Sequence, residues 1–73
     1  MTNDLEIFKK QLGKRVAKLR EDKGLTQSQL SALINKDFQS ISRIENGRVN
    51  ASGYILKEIA DALGVDINKL FDF

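Results

Sequence analysis

Residues 25–47 read LTQSQLSALINKDFQSISRIENG, and this stretch decides the fold. Thr26 and Gln29 form a T-x-x-Q capping box, in which each partner satisfies a backbone N–H that the first helical turn leaves free. Leu25 and Leu30 stand at the two positions of a hydrophobic staple around that start. The spacing predicts a helix from there to about Ile34. Asn35 tolerates the left-handed backbone that ends a helix. Asp37 then supplies a new cap for a helix over residues 38–45, and Asn46-Gly47 closes it in a turn. The connection between these two short helices is only Asn35, Lys36 and Asp37.

Working outward, the flanks carry the same signals. Asn3 and Glu6 cap a first helix. Leu5, Phe8, Leu12, Val16 and Leu19 recur along one face of it, with Lys9, Lys10, Lys14, Arg15 and Lys18 mostly elsewhere. Gly13 weakens this helix modestly, because glycine loses more backbone freedom than alanine. Gly24 suits the residue just past its end. Downstream of the loop RVNAS, Ser52 caps a helix over residues 53–63, with Ile55, Leu56, Ile59, Ala60 and Leu63 facing inward. Gly64 stops it. Asp66 caps a short fifth helix, where Val65 and Leu70 repeat the staple. No stretch alternates as a strand does. The expectation is an all-α, compact five-helix fold, with residues 1–73 forming one domain.

Composition removes several functions. The chain has 73 residues with no cysteine and no histidine. Disulfides, thiolate or imidazole metal sites, catalytic triads and a histidine base are excluded together. The remaining carboxylates sit mostly at helix caps, so no enzyme, no metal and no cofactor is expected. No apolar run approaches the roughly 20 residues of a membrane span. The start, MTNDLEIFKK, lacks a signal peptide's basic and apolar blocks. The expected setting is the cytoplasm, with no membrane partner. The net charge of +2 is distributed unevenly: +3 over residues 1–24, +1 over residues 25–53 and −2 over residues 54–73. That distribution alone describes a solvated surface of mixed sign.

The tight connection between the second and third helices makes them cross steeply, the requirement of a helix-turn-helix over about residues 26–45. One such helix lies across the DNA backbone while the next enters the major groove. Three segments then carry a resemblance across about residues 12–71: LREDKGLTQSQL, SISRIENG and IADALGVDINKLF. Together and in this order they resemble the Cro/lambda-repressor-like, XRE-type helix-turn-helix regulator family. The resemblance implies a lambda-repressor-like five-helix domain, sequence-specific binding to operator DNA and a homodimer. It also implies a partly buried ion pair of Arg20 with Glu45, structural rather than DNA-binding. The chain departs from the family pattern at Ser31 (usually Ala), Asn35 (usually Gly), Lys36 (usually apolar) and Ala51-Ser52 (usually Pro-Ser).

The helix at 38–45 is the expected recognition helix. Phe38, Gln39 and Ser40 fill its first turn, and Arg43 lies on the face of Gln39. Gln39 matches adenine at N6 and N7, and Arg43 matches guanine at O6 and N7; the competing reading of Arg43 is a phosphate contact or a solvated side chain. Phe38 either meets a thymine methyl or folds back over Leu33 and the stem of Lys36. Gln27 opens the second helix, where free N–H groups favour a phosphate, or is simply exposed. Asn46, Arg48 and Asn50 flank the following loop and are expected at phosphates, with ordinary turn chemistry a strong rival for Asn46. The N-terminal lysines read as a solvated face.

One such domain covers few base pairs. Two copies related by a two-fold axis would read a palindrome with half-sites about 34 Å apart. Val65, Ile67, Leu70, Phe71 and Phe73 form the expected dimer surface, or else close the core. At 73 residues no effector domain is expected. The function expected is a transcriptional regulator, a repressor by type, acting on double-stranded DNA. The alternative is an antitoxin-like protein-interaction module with secondary DNA binding.

Overall fold

The computed structural model describes residues 3–73. Among them the chain forms α1 (Asp4–Asp22), α2 (Gln27–Leu33), α3 (Phe38–Glu45), α4 (Gly53–Leu63) and a final 3-10 helix (Ile67–Phe71). The all-α expectation holds. The fifth element differs in type: Asp66 caps it as foreseen, accepting from Asn68 N, but five residues make only a short turn of the tighter helix.

Every α-helix starts on the cap read from the sequence, through Asn3, Thr26, Asp37 and Ser52. The Thr26–Gln29 box is complete in both directions. All four helices also end alike. A residue in the left-handed region follows the last turn, and two backbone bonds reach back to carbonyls the helix leaves open. After α2 these bonds run from Lys36 N to Ser31 O at 2.9 Å and from Asn35 N to Ala32 O at 3.1 Å. Asn35 has φ 58°, alone among the described non-glycine residues in its positive value. After α3 the pattern repeats with Gly47, and it aims the chain into the loop at Arg48.

The core gathers Leu12, Val16 and Leu19 of α1, Leu30 and Ile34 beside α2, Ile41 and Ile44 of α3, Leu56, Ile59 and Leu63 of α4, and Leu70. The apolar stripe of α1 outruns this core. Leu5 and Phe8, on the same face as Leu12, remain 47% and 37% exposed. At about 1.5 Å per residue, the 19 residues of α1 make a rod that its shorter partners cover only from Leu12 onward. The C-terminal segment divides likewise. Leu70 is fully buried and Val65 packs on the core, so neither belongs to a free surface, whereas Ile67, Phe71 and Phe73 stay partly exposed. Phe8 stacks on Phe71 with ring centroids 6.3 Å apart and meets Phe73 at 5.9 Å. Arg15 holds this tail by donating to Lys69 O at 2.7 Å.

Two positions behave differently from their local sequence reading. Gly13 lies where α1 meets the end of α3, and a Cβ there would press on the Ile44 carbonyl and come within 2.5 Å of Glu45 O. Glycine at this point is a condition of the packing. Ser31 is 2% exposed and its hydroxyl has no hydrogen-bond partner. A buried unsatisfied hydroxyl costs about 1–3 kcal/mol, and serine is also the weaker helix former. Ser31→Ala is therefore expected to raise stability by about 1 kcal/mol in urea unfolding; a loss of stability would mean that the hydroxyl has a partner in solution.

Candidate nucleic-acid interface

The placement of α3 begins with its two apolar residues. Ile41 and Ile44 are drawn into the core, to 0% and 5% exposure. Successive residues turn by about 100°, so this burial leaves Gln39, Arg43 and Asn46 on the opposite, exposed face. The helix is held at both ends. Asp37 Oδ1 accepts from Ser40 N and Ser40 Oγ, both at 3.1 Å. At the other end Glu45 turns inward.

Glu45 is the centre of a buried polar cluster. Its side chain is 5% exposed and faces Arg20, at 11%. Arg20 Nε donates to Glu45 Oε2 at 2.7 Å, and Arg20 Nη2 donates to Oε1 at 3.0 Å. Arg20 Nη1 donates to Leu25 O at 2.7 Å. The paired fork is the ion pair implied by the family resemblance. The hydrogen bond to Glu45 raises the guanidinium above its ordinary pKa, so Arg20 stays charged. Gln27 completes the cluster, its Nε2 donating to Glu45 Oε1 at 2.8 Å. The opening of α2, the end of α3 and the last turn of α1 thus share one carboxylate.

The residues singled out from the sequence fall into two groups. Gln39, Arg43, Arg48 and Asn50 are exposed, and Arg43 Nη2 donates to Gln39 Oε1 at 3.0 Å. Phe38 is 50% exposed at the first turn of the helix. The others have structural duties. Ser40 gives its hydroxyl to Asp37. Asn46 donates its amide to Ser42 O at 2.9 Å and to Ser42 Oγ at 3.3 Å, the turn chemistry weighed against DNA contact. Gln27, expected at a phosphate or simply exposed, is half-buried and bonded to Glu45. Sequence reasoning missed two further features. Ser42 anchors the Asn46 amide, which the four-residue spacing on a helix would have revealed. Lys36 joins Arg43 in lining a groove of about 220 Å³ beside α3, which also includes Ile44 and Ile55. No local pattern announces that groove, because it forms between elements.

Among the described residues no group of three His, Cys, Asp or Glu converges as a metal site. No described helix is long and apolar enough to cross a membrane.

Known proteins resemble this chain in sequence and in fold. The family model described as helix-turn-helix matches residues 16–70. The control protein C.MunI from Mycoplasma sp is 37% identical over 70 residues, covering 94% of this chain and 90% of its own. The HTH-type transcriptional regulator y4dJ of Sinorhizobium fredii is 42% identical over 58 residues, covering 80% and 75%. The crystal structure of the restriction-modification controller protein C.AhdI from Aeromonas hydrophila superposes with a TM-score of 0.90 at 30% identity, over 94% of this chain and all of that one. With the motif, its locked geometry and these likenesses in agreement, the chain belongs to the XRE-type helix-turn-helix family of DNA-binding transcriptional regulators.

Proposed function

We propose that this protein is a repressor that reads a palindromic operator as a homodimer, through α3 in the major groove. The observation that carries this reading is the free face of α3. Gln39 and Arg43 take no part in the core, yet the helix bearing them is fastened at both ends. Rigid presentation of polar side chains is what direct reading of base edges needs. Phe38, at the first turn, adds an apolar contact for a base edge such as a thymine methyl. Arg48 and Asn50, exposed in the following loop, contact phosphates and set the register without reading sequence. Gln27, Ser40 and Asn46 act chiefly as supports, with Gln27 keeping a second amide hydrogen for a phosphate. The likeness to C.MunI and C.AhdI supports a controller-type regulator, working in the cytoplasm with residues 1–73 as one DNA-binding domain.

The half-exposed cluster of Phe8, Phe71 and Phe73, with Ile67 nearby, supports self-association. Clustered aromatics left in water favour burial against a second copy. Combined replacement of Phe71 and Phe73 by serine is expected to halve the mass in light scattering while leaving helical circular dichroism intact. A mass that stays dimeric would move the interface elsewhere. The function itself is tested by selecting bound duplexes from a random pool at near-physiological salt. A palindromic motif is the expected result. A folded protein that enriches no motif would overturn the reading and direct attention to a protein partner.

A further inference from the structure

Gln39 and Arg43 lie four residues apart on the exposed face of α3, and Arg43 Nη2 donates to Gln39 Oε1 at 3.0 Å. We infer that the two side chains form a single reading unit selective for keto bases, guanine or thymine, and that Arg43 turns Gln39 away from adenine. This rests on the proposed reading of DNA by α3.

A free glutamine amide offers one acceptor oxygen and one donor NH2, which is the match for adenine N6 and N7. Here one of the oxygen's two lone pairs is taken by a guanidinium that is always charged. The amino groups of adenine N6 and cytosine N4 would bring their own positive hydrogens to that oxygen, against the charge of Arg43. What the pair directs outward is the Gln39 NH2 and the remaining N–H groups of Arg43, all of them donors. Guanine offers O6 and N7, and thymine offers O4, so both present hydrogen-bond acceptors alone in the major groove.

The neighbourhood leaves the pair intact. Asp37 Oδ1 is engaged by Ser40, and the Asn46 amide is engaged by Ser42. Four residues of helix span about 6 Å, against roughly 3.4 Å per nucleotide along one DNA strand. The unit therefore reaches neighbouring base pairs. The exposed ring of Phe38, one residue before Gln39, suits the methyl group of a thymine at such a step.

The test is random-pool selection with the wild-type protein, Gln39→Ala and Arg43→Met, each first shown to be folded by circular dichroism. The base read by Gln39 is the position whose preference Gln39→Ala abolishes. The wild type is expected to select guanine or thymine there. Arg43→Met is expected to lose preference at a neighbouring position and to gain adenine at the Gln39 position, because the amide oxygen is released. On the selected operator, each single substitution should weaken binding roughly ten- to a hundredfold. The double substitution should weaken it by less than the product of the two. Adenine at the Gln39 position in the wild type, or an unchanged base there in Arg43→Met, overturns the inference while α3 remains the reader. A motif insensitive to both substitutions, or no motif from folded protein, overturns the reading by α3 and this inference with it.

Discussion

Replacing Glu45 with alanine is expected to lower the melting temperature by about 15 °C or more. The carboxylate is 5% exposed and accepts from Arg20 Nε, Arg20 Nη2 and Gln27 Nε2 at 2.7, 3.0 and 2.8 Å. Its removal leaves a guanidinium, itself only 11% exposed, with the Leu25 carbonyl as its remaining buried partner. Stranding one member of a buried pair costs about 3–5 kcal/mol. Domains have only about 0.05–0.15 kcal/mol of stability per residue, so a large share of the margin of a 73-residue chain would be lost. Glu45→Gln keeps the shape and part of the hydrogen bonding, and should fall between the two. The raised pKa of Arg20 carries a definite sign: stabilisation from a raised cation is complete below its unfolded pKa and disappears only as pH rises through the folded one. For an arginine this lies above the working range, so the Arg20 contribution stays constant through neutral and moderately alkaline buffers. Thermal denaturation followed by circular dichroism measures all of this. An unchanged melting temperature in Glu45→Ala would show that the cluster does not hold the three helices together.

Gly13→Ala is expected to destabilise the protein by at least about 2 kcal/mol. In an isolated helix the same change is favourable by about 1 kcal/mol, so the sign of the result is decided by tertiary contact. The added carbon would meet the carbonyls of Ile44 and Glu45, with Glu45 O at 2.5 Å and Glu45 C at 2.8 Å. These are backbone atoms at the end of α3 and cannot rotate aside as a side chain would. Relief requires α1 and α3 to separate, which stretches the Arg20–Glu45 pair and shifts Gln39 and Arg43 away from a shared groove. Operator affinity should fall together with stability. Gly53→Ala is the control: it opens α4, and nothing lies within 4 Å of the carbon it would add. It should be neutral or mildly stabilising. Urea unfolding of both variants checks the pair, and a stabilised Gly13→Ala would show that the crossing of α1 and α3 is looser than the structure has it.

These two expectations differ in how far the sequence alone supports them. The Glu45 ion pair is implied by family resemblance once SISRIENG is read. Its third member, Gln27, is not, because nothing local distinguishes a glutamine that meets phosphate from one that turns to a carboxylate 18 positions away. Gly13 reads as a weakness in a helix, since helix propensity contains no term for a neighbour. The same boundary runs through the interface. Gln39 and Arg43 were legible as the outward face of a helix because Ile41 and Ile44 define its inward one. The engagement of Ser40 and Asn46 in capping competes with DNA contact, and local spacing describes both uses equally well. Leu5, Phe8 and Leu70 show the limit from the apolar side: identical residue types end up half-exposed or fully buried according to where the core stops.

By itself the sequence determined what depends on neighbours within about one helical turn. That covers the four caps, the complete Thr26–Gln29 box, the left-handed Asn35, Gly24, Gly47 and Gly64, and hence the order and bounds of the helices. Short-range hydrogen bonds and steric limits on φ act before any fold exists, so they are written in consecutive residues. Tertiary structure alone decided that Gln27 joins the Arg20–Glu45 pair, the glycine contact between α1 and α3, and the end of the core short of Leu5 and Phe8. Each of these depends on distances between segments far apart in the chain, and such distances exist only once the helices have packed.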